Sequence, residues 1–173
     1  LKGSVPDGDY RVPIGKIRLA RQGGDITIVA MSYMTIEALH AVDHLSTQGV
    51  NCDLIDLRSI RPIDWVAIEN SVKRTGRLLV LDAGTLVGSV SGEIVARIAL
   101  ACWEQLKLAP QRLTMPDFPE ATSQALTKSY HVRAEHIVEK ISSMLSLSIE
   151  YNSLKQQRKH QHDVPGDWFA GPF

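Results

Sequence analysis

The sequence predicts an α/β fold in which an open, mostly parallel sheet carries helices on both of its faces. From Asp25 onward, short runs of aliphatic and β-branched residues alternate with segments of helical periodicity, the pattern of strands joined by crossover helices. The first of these runs is nearly all apolar, as expected for a strand buried on both sides. A chain of 173 residues is long enough for one globular domain with a tail, so we expect a three-layer architecture that needs no disulfide or structural metal.

The first half of the predicted sheet contains two strands and the helix that joins them. Ile26 to Ala30 (ITIVA) is the first buried strand. A helix follows to about Gln48, with Ser32 as its candidate N-cap and Gly49 as its C-terminal stop. The second strand is Cys52 to Leu57 (CDLIDL).

A second helix and a third strand come next. Asp64 is a suitable N-cap for a helix that ends at Gly76. Leu78 to Leu81 (LLVL) is the third strand. The segment from Ala83 to Gly92 is rich in glycine and serine and leads into a third helix, so the sequence predicts a tight turn at this point.

The third helix is followed by one more strand and one more helix. Pro110 marks the end of the third helix, and Arg112 to Met115 is a plausible fourth strand. The last strong helix is Ala134 to Leu145, where apolar residues recur with helical spacing. On the third helix the same spacing places four residues on the side that faces the core: Ile94, Ile98, Ala101 and Cys102.

The two ends differ in composition from the body of the chain. We predict an N-terminal arm over residues 1–24, an α/β domain over residues 25–145 and a C-terminal tail over residues 146–173. The arm has room for one strand near Ile17 to Ala20. The tail is polar and basic before it becomes aromatic, and three of its aromatic side chains are candidate contacts with this domain or with a partner. These residues are Trp168, Phe169 and Phe173.

Composition excludes several classes of protein. Lys and Arg together number 19, as do Asp and Glu, and the resulting net charge of zero argues against nucleic acid or an anionic membrane as the main partner. No apolar run reaches the roughly 20 residues of a membrane helix. Cys52 and Cys102 show no metal-binding spacing, which predicts inert thiols in a reducing compartment. Because the chain opens at Leu1 without a secretory signal, we expect a fragment of an intracellular protein.

Four charged residues lie at the carboxyl end of the second strand, where open α/β sheets bind ligands. Two interpretations remain open: an anion clamp formed by the two guanidinium groups, or a corner in which the charges pair with each other and with loop carbonyls. The four residues are Asp56, Arg58, Arg61 and Asp64.

The end of the third strand offers an acid and a glycine-rich turn. Asp82 is a candidate functional carboxylate, or an acceptor for amides of the following turn. Gly84, Gly88 and Gly92 recur at every fourth position between a strand and a helix, where glycines can expose backbone amides to a phosphate. No Lys-Ser/Thr pair follows, so a tight packing turn is the alternative interpretation.

The six histidines favour no metal centre. His40 and His44 share a helix face without the glutamate of a zinc-protease motif, and His131 and His136 flank the last helix without a triad partner. The tail contains the remaining candidates, which are His160, His162 and Asp163. The residues therefore indicate no catalytic, cofactor or metal site.

Six phrases, in order along the chain, closely resemble one family. They are YRVPIGK from Tyr10, GGDITIVAMSYM from Gly23, DLRSIRPID from Asp56, SVKRTGRLLVLD from Ser71, GEIVARIA from Gly92 and AEHIVEKI from Ala134. The chain resembles the C-terminal domain of transketolase-like enzymes, specifically the beta subunit of the thiamine-diphosphate-dependent 2-oxo acid dehydrogenase component, over about residues 1–145.

The resemblance implies an assembly domain rather than a complete catalyst. In such enzymes thiamine diphosphate, with magnesium, lies between other domains, so this chain by itself should bind no cofactor. The implied partners are an alpha subunit, a second beta subunit that makes a homodimer through this domain, and the acyltransferase component. The family often has an acid before an Ala-Pro pair at the docking face, where this sequence has Lys107 or Leu108.

The implied function is subunit association and acyltransferase docking in an enzyme that decarboxylates a 2-oxo acid oxidatively. Its implied location is the cytoplasm, or the mitochondrial matrix in a eukaryote. An alternative from another class is a free-standing α/β module that binds an anionic metabolite through the turn at Gly84 to Gly92 and through Arg58 and Arg61.

Overall fold

A five-stranded sheet forms the centre of this computed structural model, which describes residues 7–123, 125–127 and 130–156. Its strands are β1 (Arg18–Arg21), β2 (Ile26–Ala30), β3 (Cys52–Asp56), β4 (Leu78–Thr85) and β5 (Gln111–Met115). Its helices are α1 (Met34–Thr47), α2 (Trp65–Thr75), α3 (Val90–Ala101), α4 (Ala134–Leu145) and α5 (Asn152–Gln156), with a short 3₁₀ turn at Trp103–Gln105. None of the helices within the described ranges is long and apolar enough to cross a bilayer.

The order of the strands across the sheet is β1-β3-β2-β4-β5. β2 pairs in parallel with both β3 and β4, and β4 pairs in parallel with β5. Only β1, at the edge, runs antiparallel, with Arg18 opposite Asp56. The prediction of an open and mostly parallel sheet is confirmed, and the parallel strands all end at one edge, here called the carboxyl edge.

Each face of the sheet packs against its own pair of helices. Ile28 faces a cluster with α1 and α4, whereas the next residue, Val29, faces a second cluster with α2 and α3. Both side chains are fully buried. The three-layer α/β prediction is therefore correct, and the apolar strands are the direct result of burial on both faces.

The predicted N-cap of α1 is wrong. The helix begins at Met34 with Tyr33 in the capping position, and no side chain caps it. Ser32 has a left-handed backbone, with φ 55°, and its carbonyl accepts the Thr35 amide at 3.1 Å. The backbone turn at Ser32 therefore supplies the acceptor that its hydroxyl was expected to supply. Gly49, with φ +83°, lies directly after the helix as predicted.

The end of α3 also differs from the prediction. The helix stops at Ala101, and the 3₁₀ turn Trp103–Gln105 precedes Pro110, so proline is not what ends it. Cys102 is fully buried, as its spacing predicted. Ala101 is exposed, so its predicted place on the side that faces the core is wrong.

Parts of the predicted arm and tail contribute to the folded body. β1 extends the sheet beside β3, and α5 packs on α4. Residues 1–6 and 157–173 lie outside the described residues, so the division into arm, domain and tail stays a prediction.

A buried polar cluster joins the amino-terminal half of the sheet to α2. Asp53, fully buried on β3, accepts the Gly23 amide at 2.8 Å, the Ser71 hydroxyl at 2.5 Å and the Arg74 guanidinium. On β2, the Thr27 hydroxyl lies 2.7 Å from that of Ser71. A buried carboxylate without such donors would be costly, so this cluster determines where α2 sits on the sheet.

Asp53→Ala should lower the free energy of unfolding by about 2–4 kcal/mol, because it leaves buried donors without an acceptor. Chemical denaturation monitored by circular dichroism measures the change. Asp43→Ala is the control, since its ion pair with Arg21 is exposed and should contribute less than about 1 kcal/mol. Equal losses in the two variants would contradict this account of Asp53.

Candidate functional site at the carboxyl edge

The carboxyl edge is where an open α/β sheet normally binds ligands. The connections from β2 lead in opposite directions, because β3 lies on one side of β2 and β4 on the other. A ligand crevice is expected at such a reversal. The turn after β2 and the glycine-rich segment that follows Asp82 lie at this edge.

Asp82 lies near the end of β4, and both of its carboxylate oxygens are occupied. Oδ1 accepts the Gly84 amide and Oδ2 accepts the Ser91 amide, each at 2.9 Å. Asp82 is only 6% exposed. β4 extends through this residue to Thr85, beyond the predicted end at Leu81, with an irregular register in between. Asp82 therefore caps the first turn of α3 from the strand. A functional role for its carboxylate stays a prediction.

The glycines of this segment allow a close approach of side chains to the turn. A Cβ at Gly84 would lie 3.2 Å from Oδ1 of Asp82, and one at Gly92 would lie 3.2 Å from Nη1 of Arg112. Gly88 has φ +77°, in the left-handed region that glycine adopts without strain. The Arg112 guanidinium also donates to the Leu86 carbonyl at 2.8 Å, which fixes the turn to β5.

These contacts disfavour a phosphate or diphosphate at the amino terminus of α3. The Ser91 amide, which an anion at that terminus would use, already donates to the carboxylate of Asp82. A second anion beside that carboxylate would meet like charge. The described residues of the turn therefore do not fit the diphosphate of a cofactor, and the tight-turn interpretation describes the geometry.

The charged corner after β3 contains two separate ion pairs. Arg58 Nε lies 3.8 Å from Asp56, and Asp64 lies 3.4 Å from Lys16 Nζ, a partner that sequence reasoning missed. Arg58 itself has φ 53°. Arg61 is exposed and makes no ion pair within the described part of the chain. The role of this corner in anion binding stays a prediction.

A second buried carboxylate joins α1 to α4 and was not predicted. Glu37 is 5% exposed, accepts the Ala134 amide at 3.0 Å and lies 3.8 Å from Nη1 of Arg133. It thus caps α4 from another helix. An acid within the apolar stripe of a predicted helix, between Met34 and Ala38, was the signal that could have identified it.

An open cleft of about 470 Å³ lies between β5 and α4. His131 Nε2 is 3.2 Å from Glu120, and Nδ1 of His136 accepts the Arg133 amide at 3.0 Å. Burial is the main cause that lowers the pKa of His136, with Lys155 adding to the effect. Both histidines thus have structural partners at the start of α4.

The other predicted ligands do not form a metal site among the described residues. His40 is exposed, whereas His44 bonds to Gln48 and to the Glu150 carbonyl. No group of three potential ligands occurs in the ranges that the structure describes. His160, His162 and Asp163 lie outside them, as do the predicted contact residues Trp168, Phe169 and Phe173.

The two cysteines are buried free thiols. Burial raises the pKa of Cys52 to about 12 and also raises the pKa of Cys102. A thiol that stays protonated is a poor nucleophile.

Lys107 replaces an acid that the family resemblance led us to look for. Its ammonium group donates to the Thr75 carbonyl at 3.1 Å, and its backbone amide donates to the Gly76 carbonyl at 2.8 Å. A cation is favourable at the carboxyl end of α2, where carbonyls have no partner in the helix. The side chain therefore stabilises the end of this helix.

Comparison with known proteins identifies the family. The profile described as "Transketolase, C-terminal domain" matches residues 15–137, from the loop before β1 into α4. The chain belongs to this family. The resemblance stated from the sequence is thereby confirmed for the fold.

Curated relatives confirm the likeness to beta subunits. Pyruvate dehydrogenase E1 component subunit beta of Cyanidium caldarium is 32% identical over 145 residues, which cover 84% of this chain and 44% of that protein. The 2-oxoisovalerate dehydrogenase subunit beta of Bacillus subtilis is 36% identical over 119 residues, 69% of this chain and 36% of that protein. Acetoin:2,6-dichlorophenolindophenol oxidoreductase subunit beta of the same organism is 33% identical and covers 80% of this chain and 40% of that protein.

A solved structure has the same fold. The "Split gene transketolase, inactive beta4 tetramer" superposes with a TM-score of 0.65 and 28% identity, covering 80% of this chain and 45% of that one. The chain thus spans less than half the length of these relatives.

Asp82→Ala should lower the free energy of unfolding by about 1–2 kcal/mol, because the Gly84 amide near the end of β4 and the Ser91 amide at the start of α3 lose their acceptor. Thermal and urea denaturation measure the loss. The matched control is Asp56→Ala on the neighbouring part of the edge, whose 3.8 Å pair with Arg58 should contribute less than about 1 kcal/mol. An Asp82 variant as stable as the parent would contradict the capping role.

His136 should make stability fall as the pH decreases below about 6.5, the ordinary pKa of histidine. Burial keeps the ring neutral in the folded chain, so the unfolded chain binds the proton first and unfolding becomes easier until the lowered pKa is reached. His136→Gln keeps an acceptor for the Arg133 amide without titrating, and urea unfolding from pH 8 to pH 5 should show a shallower slope in this variant. Parallel slopes would contradict the prediction.

Proposed function

We propose that this chain is the C-terminal assembly domain of the beta subunit of a thiamine-diphosphate-dependent 2-oxo acid dehydrogenase. The observation that supports it best is identity of 32–36% to dehydrogenase beta subunits over 69–84% of the chain. In the complete enzyme the reaction would be oxidative decarboxylation of a 2-oxo acid, with acyl transfer to lipoyl groups. This domain would hold subunits together and help to dock the acyltransferase.

The geometry of the carboxyl edge favours a structural role for its polar side chains over a catalytic role. Asp82 and Glu37 each cap a helix, and His136 accepts a backbone amide. Thiamine diphosphate with magnesium would supply the carbanion chemistry of the whole enzyme. Asp82 already accepts the Ser91 amide at the start of α3, which disfavours the diphosphate of that cofactor there, so we place no step of that reaction in this chain.

The outer surface of α3 is the proposed contact with a second beta subunit. Leu100 is 85% exposed and Trp103 is 76% exposed, and an open cleft of about 480 Å³ lies beside them. Large apolar side chains at such exposure are typical of interface anchors. A related chain is described as a tetramer of beta subunits, which favours a second copy as the occupant. The other proposed partners are an alpha subunit and the acyltransferase component.

Substrate and compartment follow less directly from the relatives. Their names refer to pyruvate, 2-oxoisovalerate and acetoin at similar identity, so the domain does not distinguish between these substrates. Relatives from Dictyostelium discoideum and Oryza sativa are named as mitochondrial. We propose the cytoplasm of a bacterium, or the mitochondrial matrix of a eukaryote, as the location.

The purified chain should self-associate through α3. Leu100→Asp places a charge in the proposed contact and should weaken the dimer at least about tenfold, equivalent to about 1.4 kcal/mol. Sedimentation velocity over a concentration series measures the change. Leu147→Asp is the control, because Leu147 is 49% exposed and follows α4 on the other face of the sheet.

The same preparation tests whether the chain is catalytic by itself. With thiamine diphosphate, magnesium and pyruvate or a branched-chain 2-oxo acid, the chain should release no carbon dioxide; turnover would contradict the proposal. Calorimetric binding of a nucleotide or acyl phosphate at micromolar affinity, lost in Arg58→Ala, would instead support the free-standing anion-binding module.

A further inference from the structure

The cleft between β5 and α4 combines an apolar wall with ionisable side chains from one helix. Leu113, Pro116 and Val132 form apolar parts of its lining, and its volume is about 470 Å³. Pockets for small organic molecules have volumes of about 300–1,000 Å³ and combine apolar walls with a few polar groups. The size and lining of this cleft therefore suit a small molecule with an apolar part.

Three ionisable side chains line the cleft from one stripe of α4. They are His136, Glu139 and Lys140. With 3.6 residues in each helical turn, these three positions fall within about 100° of one another around the helix axis. A ligand in the cleft would thus meet an imidazole, a carboxylate and an ammonium group on the same wall.

The two full charges of this stripe have only neutral partners among the described residues. Lys140 Nζ donates to the side-chain oxygen of Gln111 at 3.0 Å, and Glu139 accepts the Tyr151 hydroxyl at 3.2 Å. Neither charge makes an ion pair with the other, or with any further residue in the described ranges. Because an ammonium group carries three donors, Lys140 has two left for a ligand.

His136 adds a neutral donor to the same wall. Its Nδ1 accepts the Arg133 amide at 3.0 Å, so the neutral ring carries its proton on Nε2. Burial is the main cause that lowers the pKa of His136, and it keeps the ring neutral at physiological pH. Residues four apart on a helix are neighbours, so Nε2 of His136 and Nζ of Lys140 can donate to one anionic group.

We propose that the cleft between β5 and α4 binds a free α-amino acid with an apolar side chain. Lys140 Nζ and His136 Nε2 donate to its carboxylate, and Glu139 pairs with its ammonium group. Its side chain packs on the apolar wall of the cleft, which removes it from water. A phosphate dianion would be repelled by Glu139, and an uncharged ligand would use neither charge. This inference goes beyond the proposed function and does not depend on it.

Titration of the full-length chain with L-leucine, followed by heteronuclear NMR, tests the proposal. We expect binding with a Kd of about 1 mM or below and chemical-shift changes concentrated on β5 and α4. N-acetyl-L-leucine lacks the ammonium charge and L-leucinamide lacks the carboxylate, so each should bind at least about tenfold more weakly. These two analogues also resemble the ends of a peptide. Binding of either one as tight as that of L-leucine would indicate a peptide terminus and contradict the proposal.

Two neutral variants assign each charge of the cleft to one part of the ligand. Lys140→Gln should weaken the binding of L-leucine at least about tenfold and leave that of L-leucinamide unchanged. Glu139→Gln should weaken the binding of L-leucine and leave that of N-acetyl-L-leucine unchanged. A substitution that only disturbed the fold would weaken the binding of all three compounds alike.

Lys73→Gln is the matched control, since it removes the same charge from an exposed lysine of α2 that does not line the cleft. Equal losses of L-leucine binding in Lys73→Gln and Lys140→Gln would overturn the proposal. So would the absence of binding at about ten times the expected Kd, or shift changes concentrated away from β5 and α4. Far-UV circular dichroism checks folding, and if a variant is unfolded the comparison of the three compounds on the parent chain decides the outcome.

Discussion

Burial of the parallel strands on both faces is the constraint on which the rest of this structure depends. Adjacent residues such as Ile28 and Val29 face different helix pairs, and neither is exposed. Any polar side chain on these strands must therefore find its partners inside the protein. Asp53 and Asp82 find different partners. Asp53 accepts a hydrogen bond from Ser71 on α2, and Asp82 accepts the Ser91 amide at the start of α3.

The same requirement explains why acids near the carboxyl edge have structural roles. Amides that already donate to a buried carboxylate are not available to a ligand. This applies to the Gly84 and Ser91 amides, which donate to Asp82. Lys107 makes the complementary contact at the carboxyl end of α2. Helix ends are thus capped from distant positions in the chain.

What remains available for recognition is the outside of the helical layers. Leu100 on α3 and Trp103 on the 3₁₀ turn after it are exposed on one side of the sheet, and the cleft between β5 and α4 lies on the other side. The first surface is proposed to receive a second subunit. An exposed apolar surface agrees with a domain that joins other parts of an enzyme.

Hydrophobic periodicity by itself determined the α/β class, the strand Ile26–Ala30 and the helix Ala134–Leu145, because these patterns depend only on neighbouring residues. The strand order, the extension of β4 past Asp82 and the more distant partner of that acid required the tertiary structure. One of its carboxylate oxygens accepts the Ser91 amide, nine residues away, and Glu37 accepts the Ala134 amide across 97 positions. Such contacts form only when separate elements pack, so no local pattern of residues encodes them.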